Sequence, residues 1–334
     1  MESATTPQPS VFPGVLACVA VSAVAIAFGN HVPLVGGAVF AILLGIVVGN
    51  VLRLSPAVKP GVAFCSKKVL QLSIIVLGGG LSLAQVWAAG RQSLAVMLGT
   101  LAVALAVAFL LGRLLRLPGN LTALIGVGTG ICGGSAIAAI APIVEAEDEE
   151  LAFAISTVFL FNVVAVVIFP LFGHLLHMTD TGFGIWAGTA INDTSSVVAA
   201  GYSFSPAAGA IATITKLART TMIVPIALGF ALWRTRACRG TDTPVCLTKI
   251  FPWFILGFLA AAVLNTLGLF GTDLPAHWSA TGRLLIAVAL AGVGLSTNLR
   301  HLVKTGPRPI LFGLLMWISV ALTSLGLQWL MRQL

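Results

Sequence analysis

Eleven apolar runs, most of them close to the length of a bilayer crossing, fill this chain: residues 11–28, 34–52, 68–87, 91–112, 119–144, 151–172, 182–204, 206–232, 247–268, 279–299 and 307–331. A transmembrane helix needs roughly 20 mostly apolar residues, so the pattern predicts about eleven spans. Only 8% of the 334 residues are charged and 58% are hydrophobic, against about 25% and 45–50% in soluble domains. A soluble globule of this composition would lack a polar skin. The expected fold is an all-α polytopic membrane protein. It forms a single transmembrane domain over 1–334 with a short cytoplasmic tail at 1–10, and the lipid bilayer is its main partner.

The net charge of +8 does not point to nucleic acid, because position decides its meaning. All basic residues except Lys216 and Arg219 lie between or at the ends of apolar runs. With the N-terminus inside, Arg53, Lys59, Lys67, Lys68, Arg113, Arg116, Arg234, Arg236, Arg239, Lys249, Arg300, Lys304 and Arg308 fall on the cytoplasmic side, and only Arg91, Arg283 and Arg332 fall outside. That asymmetry follows the positive-inside rule. The same threading puts the acidic run Glu145–Glu150 and the C-terminus outside. No Lys or Arg precedes the first run, so that run reads as a retained helix rather than a secretory signal. Cys18 and Cys132 fall in apolar runs, and Cys65, Cys238 and Cys246 are expected on the reducing cytoplasmic side.

Two echoes suggest internal duplication. Gly78–Ser82 resembles Gly292–Ser296, and GTGICGGS at 128–135 resembles GTAINDTS at 188–195. In the eleven-span threading the second pair lies on parallel spans. A 5+5 inverted repeat after a leading helix would instead pair the fifth span with the tenth.

The fifth span gathers Gly130, Gly133, Gly134 and Ser135 at mid-membrane depth, where glycine weakens the helix and frees backbone groups. A broken helix there offers half-helix N–H groups to an anion, and close packing through small residues is the competing reading. Ser296 and Asn298 in the tenth span are either a partner site or a helix end. The seventh span carries Asn192, Asp193, Thr194 and Ser195, and Asp193 is the one acid well inside an apolar run. An intramembrane carboxylate is functional by default. Thr213, Lys216, Arg219 and Thr220 share one face of the eighth span. Asp193 either pairs with one of those cations to hold two helices together, or the excess positive charge serves an anionic substrate while Asp193 carries a proton. Asn162 has a weaker place in the site, and Asn265 reads as an interhelical hydrogen bond.

Catalysis finds no support: the five histidines fall in connections or at helix ends, no metal cluster can be assembled, and GxxxxGK[ST] does not occur. No cofactor is expected.

The segments GTGICGGSAIAAIAPIVEAEDEELAFA, INDTSSVVAAG and TITKLART resemble those of the YeiH-type putative sulfate exporters, bacterial inner-membrane proteins, over nearly the whole chain. That resemblance implies a fold related to bile-acid/sodium symporters and cation/proton antiporters. Such a fold has inverted repeats, two crossing broken helices and an elevator-like motion of a core domain against a panel. It also implies a sulfate- or sulfite-like substrate. The chain lacks the antiporters' adjacent pair of intramembrane acids, so coupling to H⁺ or Na⁺ would fall to Asp193. The expectation is therefore a secondary transporter of a small anion in the inner membrane, possible as a homodimer. A sodium-coupled carboxylate symporter and a non-transporting enzyme or scaffold are the alternatives.

Overall fold

The computed structural model describes residues 10–31, 36–52, 54–237, 251–270, 274–298 and 306–333. The tail before residue 10, the basic loop from 238, Arg53, Lys249, Arg300 and Lys304 lie outside them. All described regular structure is helical. Seven helices are long and apolar enough to cross a membrane: Phe12–His31, Lys59–Gly78, Leu83–Leu114, Asp148–Leu175, Pro206–Trp233, Leu274–Ser296 and Pro307–Leu330. Gly36–Val51 and Phe254–Thr266 are shorter apolar helices that pack among them.

In chain order the elements are α1 (Phe12–His31), α2 (Gly36–Val51), α3 (Lys59–Phe64), α4 (Leu70–Gly78), α5 (Leu83–Leu114), α6 (Gly119–Gly130), α7 (Gly134–Val144) and α8 (Asp148–Leu175). They continue with α9 (Asp180–Ala190), α10 (Thr194–Phe204), α11 (Pro206–Thr221), α12 (Ile223–Ala237), α13 (Phe254–Thr266), α14 (Leu274–Ser296) and α15 (Pro307–Leu330). A π turn over Cys65–Val69 joins α3 to α4 without a break, so the third helix starts at Lys59 rather than 68. Cys65 is therefore buried inside it, beside Cys18 in one core cluster.

Local chemistry sets the helix starts. Ser82 and Gln85 form a reciprocal capping box for α5, as do Glu147 and Glu150 for α8. In each, the orphan N–H groups of the first turn are satisfied by side chains. The acidic run is thus a helix start, with Asp148, Glu149 and Glu150 favourably placed in the positive first turn.

The helices sort into two layers. One contains α1, α2, α3–α4, α13 and α14; the other contains α5 to α12 and α15. The layers meet where α10 packs on α2 and α14. Within the first layer, backbones touch. A Cβ on Gly294 would lie 2.3 Å from Ile42 O, and one on Gly45 2.7 Å from Ala291 O. In lipid, helices associate through such close van der Waals contact. The glycines of the tenth predicted span are therefore packing positions, and α14 runs unbroken from Leu274 to Ser296.

The fifth and seventh predicted spans do not cross. Each enters, breaks and returns as a re-entrant hairpin. In the second, Phe183 near the start of α9 stacks on Phe204 at the end of α10, with centroids 4.1 Å apart. Ser205 Oγ donates to Asp180 Oδ1 at 2.6 Å, closing the base. Alongside α11, Gly184 and Gly188 face Ile211 and Thr215, whereas Gly201 faces Gly209. So α9 runs with α11 and α10 runs against it. In the first hairpin Gly128 of α6 meets both Ile137 of α7 and Val158 of α8. At its base Arg116, Leu121, Glu147 and Arg308 line one cavity. The hairpin bases sit at opposite ends of α8, so the two enter from opposite faces and meet at mid-depth.

This corrects the threading. Replacing two crossings by two hairpins leaves the parity of every segment after α10 unchanged, which is why the basic-residue asymmetry survives. It does move the acidic run to the face of Arg116 and Arg308. It also replaces two crossing broken helices by hairpins facing tip to tip, and it pairs the fifth predicted span with the seventh rather than the tenth. An apolar run of 23 or more residues with a polar, glycine-rich centre has the composition of either a span or a hairpin, and only tertiary packing distinguishes them.

Candidate functional site

The site is built on the two hairpin tips. At the first, α6 ends at Gly130, residues 131–133 are non-helical, and α7 begins at Gly134. Gly133 has φ +67° and ψ −132°, a conformation that a residue with a Cβ reaches only with strain. At the second, α9 ends at Ala190, residues 191–193 are unwound, and α10 begins at Thr194. The tips touch: a Cβ on Gly133 would stand 3.5 Å from Asp193 Cα.

Unwinding at this depth exposes two sets of carbonyls at half-helix C-termini, which hydrocarbon cannot satisfy. Lys216 and Arg219 of α11 satisfy them. Lys216 Nζ donates to Ile131 O at 2.8 Å and Ile191 O at 3.0 Å. Arg219 donates through Nε to Gly130 O at 2.7 Å, through Nη2 to Thr129 O at 3.2 Å and through Nη1 to Thr189 O. Thr129 and Thr189, and likewise Ile131 and Ile191, occupy equivalent places in the two echoed motifs. The echo is therefore a pair of equivalent clamps, inverted with respect to each other, and one helix face with i, i+3 spacing serves both.

Both cations are 0% exposed, which revises their predicted part. Neither pairs with Asp193; among the described residues no ion pair within 4.0 Å joins them. Carbonyls take two of the three Lys216 N–H donors and three of the five of Arg219. They are positioning residues that pin the tips together.

The half-helix N-termini are treated differently at the two tips. Asp193 caps α10, its Oδ2 accepting from Ser195 N at 2.9 Å and from Ser195 Oγ. Asn162, near the middle of α8, accepts Asn192 N at 3.0 Å and Asp193 N at 3.1 Å on its Oδ1. The start of α7 has no side-chain cap. Gly134 has open space where a Cβ would be, and Ser135 is exposed. Asn192 is buried, and its Oδ1 has no hydrogen-bond partner.

Helix-end charges are about half a unit each. The clamp thus sets two cations against about one unit of carbonyl-end negative charge. Asp193 offsets the two N-terminal ends, and about one positive unit is left over at the tips.

Ten of the predicted site residues converge here: Gly130, Gly133, Gly134, Ser135, Asn192, Asp193, Thr194, Ser195, Lys216 and Arg219. Ser296 and Asn298 do not. They line a cavity of about 520 Å³ with Asn50 and Lys59 at the α14 end, where Ser296 Oγ bonds back to Val293 O at 2.8 Å and Asn50 Nδ2 donates to Thr297 O at 2.8 Å. They terminate a helix in the other layer. Asn162 holds a larger place in the site than its sequence context suggests, and Thr189 joins it as a residue the sequence does not single out: its Oγ1 lies 2.7 Å from Ser324 Oγ and ties α9 to α15. The sixty-residue offset between the echoed motifs was the signal for the Thr129 and Thr189 carbonyls.

The family model described as conserved hypothetical protein 698 matches residues 13–313. A UPF0324 membrane protein of Clostridium tetani is 41% identical over 314 residues, covering 90% of this chain and 91% of that protein. A UPF0324 membrane protein of Streptococcus pyogenes serotype M18 is 43% identical over 325 residues, covering 95% and 96%. One of Streptococcus pneumoniae serotype 4 is 42% identical over 326 residues, covering 94% and 96%. The chain belongs to this family of membrane proteins, in agreement with the resemblance of its motifs to the YeiH type.

Proposed function

We propose, starting from membership of this membrane-protein family, that the chain is a secondary transporter of a small oxyanion of the sulfate or sulfite kind, with no catalytic step. The observation that carries the reading is the pair of re-entrant hairpins that enter from opposite faces and meet at an uncapped, open helix N-terminus. Such a terminus aims backbone N–H groups and a partial positive charge at an anion. Half-helices at the midplane are where transporters place their sites. In this reading Gly134 and Ser135 supply N–H and hydroxyl donors, and Thr194 and Ser195 face them across the tips. Lys216 and Arg219 hold the geometry and the residual positive charge. Asp193 is the one carboxylate beside the anion and takes the coupling proton.

The two hairpins enter from opposite faces. Movement of the hairpin layer against the layer of α1–α4, α13 and α14 would therefore present one site alternately to the two sides. The orientation that follows the basic-residue asymmetry puts the start of α1 in the cytoplasm and the C-terminus outside the inner membrane. A sodium-coupled carboxylate symporter is the second reading. It is favoured by the orphaned Asn192 Oδ1 next to Asp193, two oxygens suited to a hard cation.

The test is flux of radiolabelled sulfate and sulfite into proteoliposomes under imposed H⁺ or Na⁺ gradients. Proton-driven oxyanion flux supports the first reading, and Na⁺-dependent carboxylate flux supports the second. Absence of flux with every anion would overturn both.

A further inference from the structure

The hairpin tips leave one conspicuous charge unused. Arg283 lies nine residues into α14, roughly 14 Å along the helix at 1.5 Å per residue, and it is exposed. It lines two cavities at the seam of the layers, one of about 430 Å³ and one of about 500 Å³, and Tyr202 of α10 lines both as well. Among the described lining residues Arg283 is the sole charged group. The rest of the polar lining includes Gln85, Gln92, Ser279 and Asn30. Tyr202 is the only tyrosine of the chain. Its ring lies against Gly209, where a Cβ would stand 2.5 Å from it. A packed phenol and an exposed guanidinium line the same cleft, and none of its described lining residues is a carboxylate.

We infer that Arg283 and Tyr202 form a second oxyanion site, in the cleft on the face from which the α9–α10 hairpin enters. A lone cation between apolar walls focuses its field into the cleft and concentrates counter-ions there. The guanidinium fork matches an oxyanion bidentately, and a phenol hydroxyl supplies a further donor. Tyr202 sits eight residues beyond Thr194 on the same helix, so an anion held here stands one helix length from the tips. Its role as an entry site rests on the transporter reading, whereas anion binding at Arg283 does not.

The experiment is arginine-selective modification of the full-length protein in phosphatidylcholine nanodiscs with p-hydroxyphenylglyoxal, read peptide by peptide by mass spectrometry. Phosphatidylcholine has no net charge and its phosphate is the same in both arms, so soluble sulfate is the only oxyanion that differs between them. Sulfate near saturation is expected to slow Arg283 modification about ten-fold relative to chloride at equal ionic strength, the protection of a site roughly nine-tenths occupied. Tyr202→Phe is expected to raise the sulfate concentration required. Equal modification with and without sulfate overturns the site. In proteoliposomes Arg283→Gln is expected to raise KM about ten-fold with kcat kept, and Arg283→Lys to recover part of it. Oxyanion flux without Arg283 protection sinks this site alone. Protection without flux upholds it and sinks the transporter reading.

Discussion

The two hairpins are near copies in plan and opposites in finish. Their arms are of similar length, with 12 and 11 residues in the first and 11 and 11 in the second, and their C-terminal carbonyls are clamped by the same two cations. At the N-terminal side they part. The second tip is closed by its own Asp193, by Asn162 from α8 and, lower down, by the Thr189–Ser324 contact to α15. The first has Gly133 where the second has Asp193, no side-chain cap, and open space at Gly134. One tip is braced by the protein, and the other leaves its N–H groups available to something else. The two tips share the clamp, which the membrane requires, and differ at the cap.

The largest effect is expected where the hairpins are alike. Arg219→Leu strips donors from Thr129, Gly130 and Thr189 together, and each unsatisfied buried carbonyl costs about 1–3 kcal/mol. Thermal unfolding in detergent should show a loss of at least about 3 kcal/mol, and flux should disappear with it. Arg219→Lys should recover only part, since an ammonium cannot span carbonyls of both tips as the planar fork does. A mild Arg219→Leu would mean that the tips are held by packing alone.

Asn162→Leu probes the bracing of one hairpin only. It orphans the N–H groups of Asn192 and Asp193 at a cost of about 1–3 kcal/mol. Hydrogen exchange should rise at 191–194 and stay unchanged at 131–134. Equal loosening of both tips would show that they move as one unit and would blunt the contrast between them.

Gly134→Asp would turn the first tip toward the second by placing a carboxylate at its open N-terminus. A Cβ at Gly134 meets open space, so stability should hold. Oxyanion affinity, read by sulfate-dependent thermal shift, should fall about ten-fold, the order of one lost charge interaction. Unchanged affinity would place the anion elsewhere.

Much of this is legible in the sequence. Glycine clusters and Asp193 inside apolar runs announced the tips, and the depth of Lys216 and Arg219 announced their importance. Their partners could not be read, because a backbone carbonyl leaves no mark in sequence. Side chains alone leave two readings, a pairing of Asp193 with a cation and a cationic site for an anion. Whether 119–144 crosses or turns back was also hidden, since the hydropathy of out-and-back arms equals that of a span. Contacts between arms decide it, Gly128 against Ile137 in the first hairpin and Phe183 against Phe204 in the second. Ser296 and Asn298 were over-read for the converse reason: a polar helix end looks like a site until its neighbours are known.

The smallest effect on stability should come from the residue given the largest role in coupling. Asp193 does two things: it caps α10, and it brings the one carboxylate to the tips. Asparagine caps a helix about as well as aspartate, whereas alanine costs about 0.5–2 kcal/mol. Asp193→Asn should therefore unfold within about 0.5 kcal/mol of the parent while Asp193→Ala falls by about 1 kcal/mol. If Asp193 carries the coupling proton, Asn should abolish the response of flux to an imposed pH gradient and leave exchange of sulfate against sulfate intact. If flux through the Asn variant still follows the pH gradient, Asp193 is a cap and nothing more. The two hairpins would then differ only in how they are capped, with one closed by a side chain and the other by its anion.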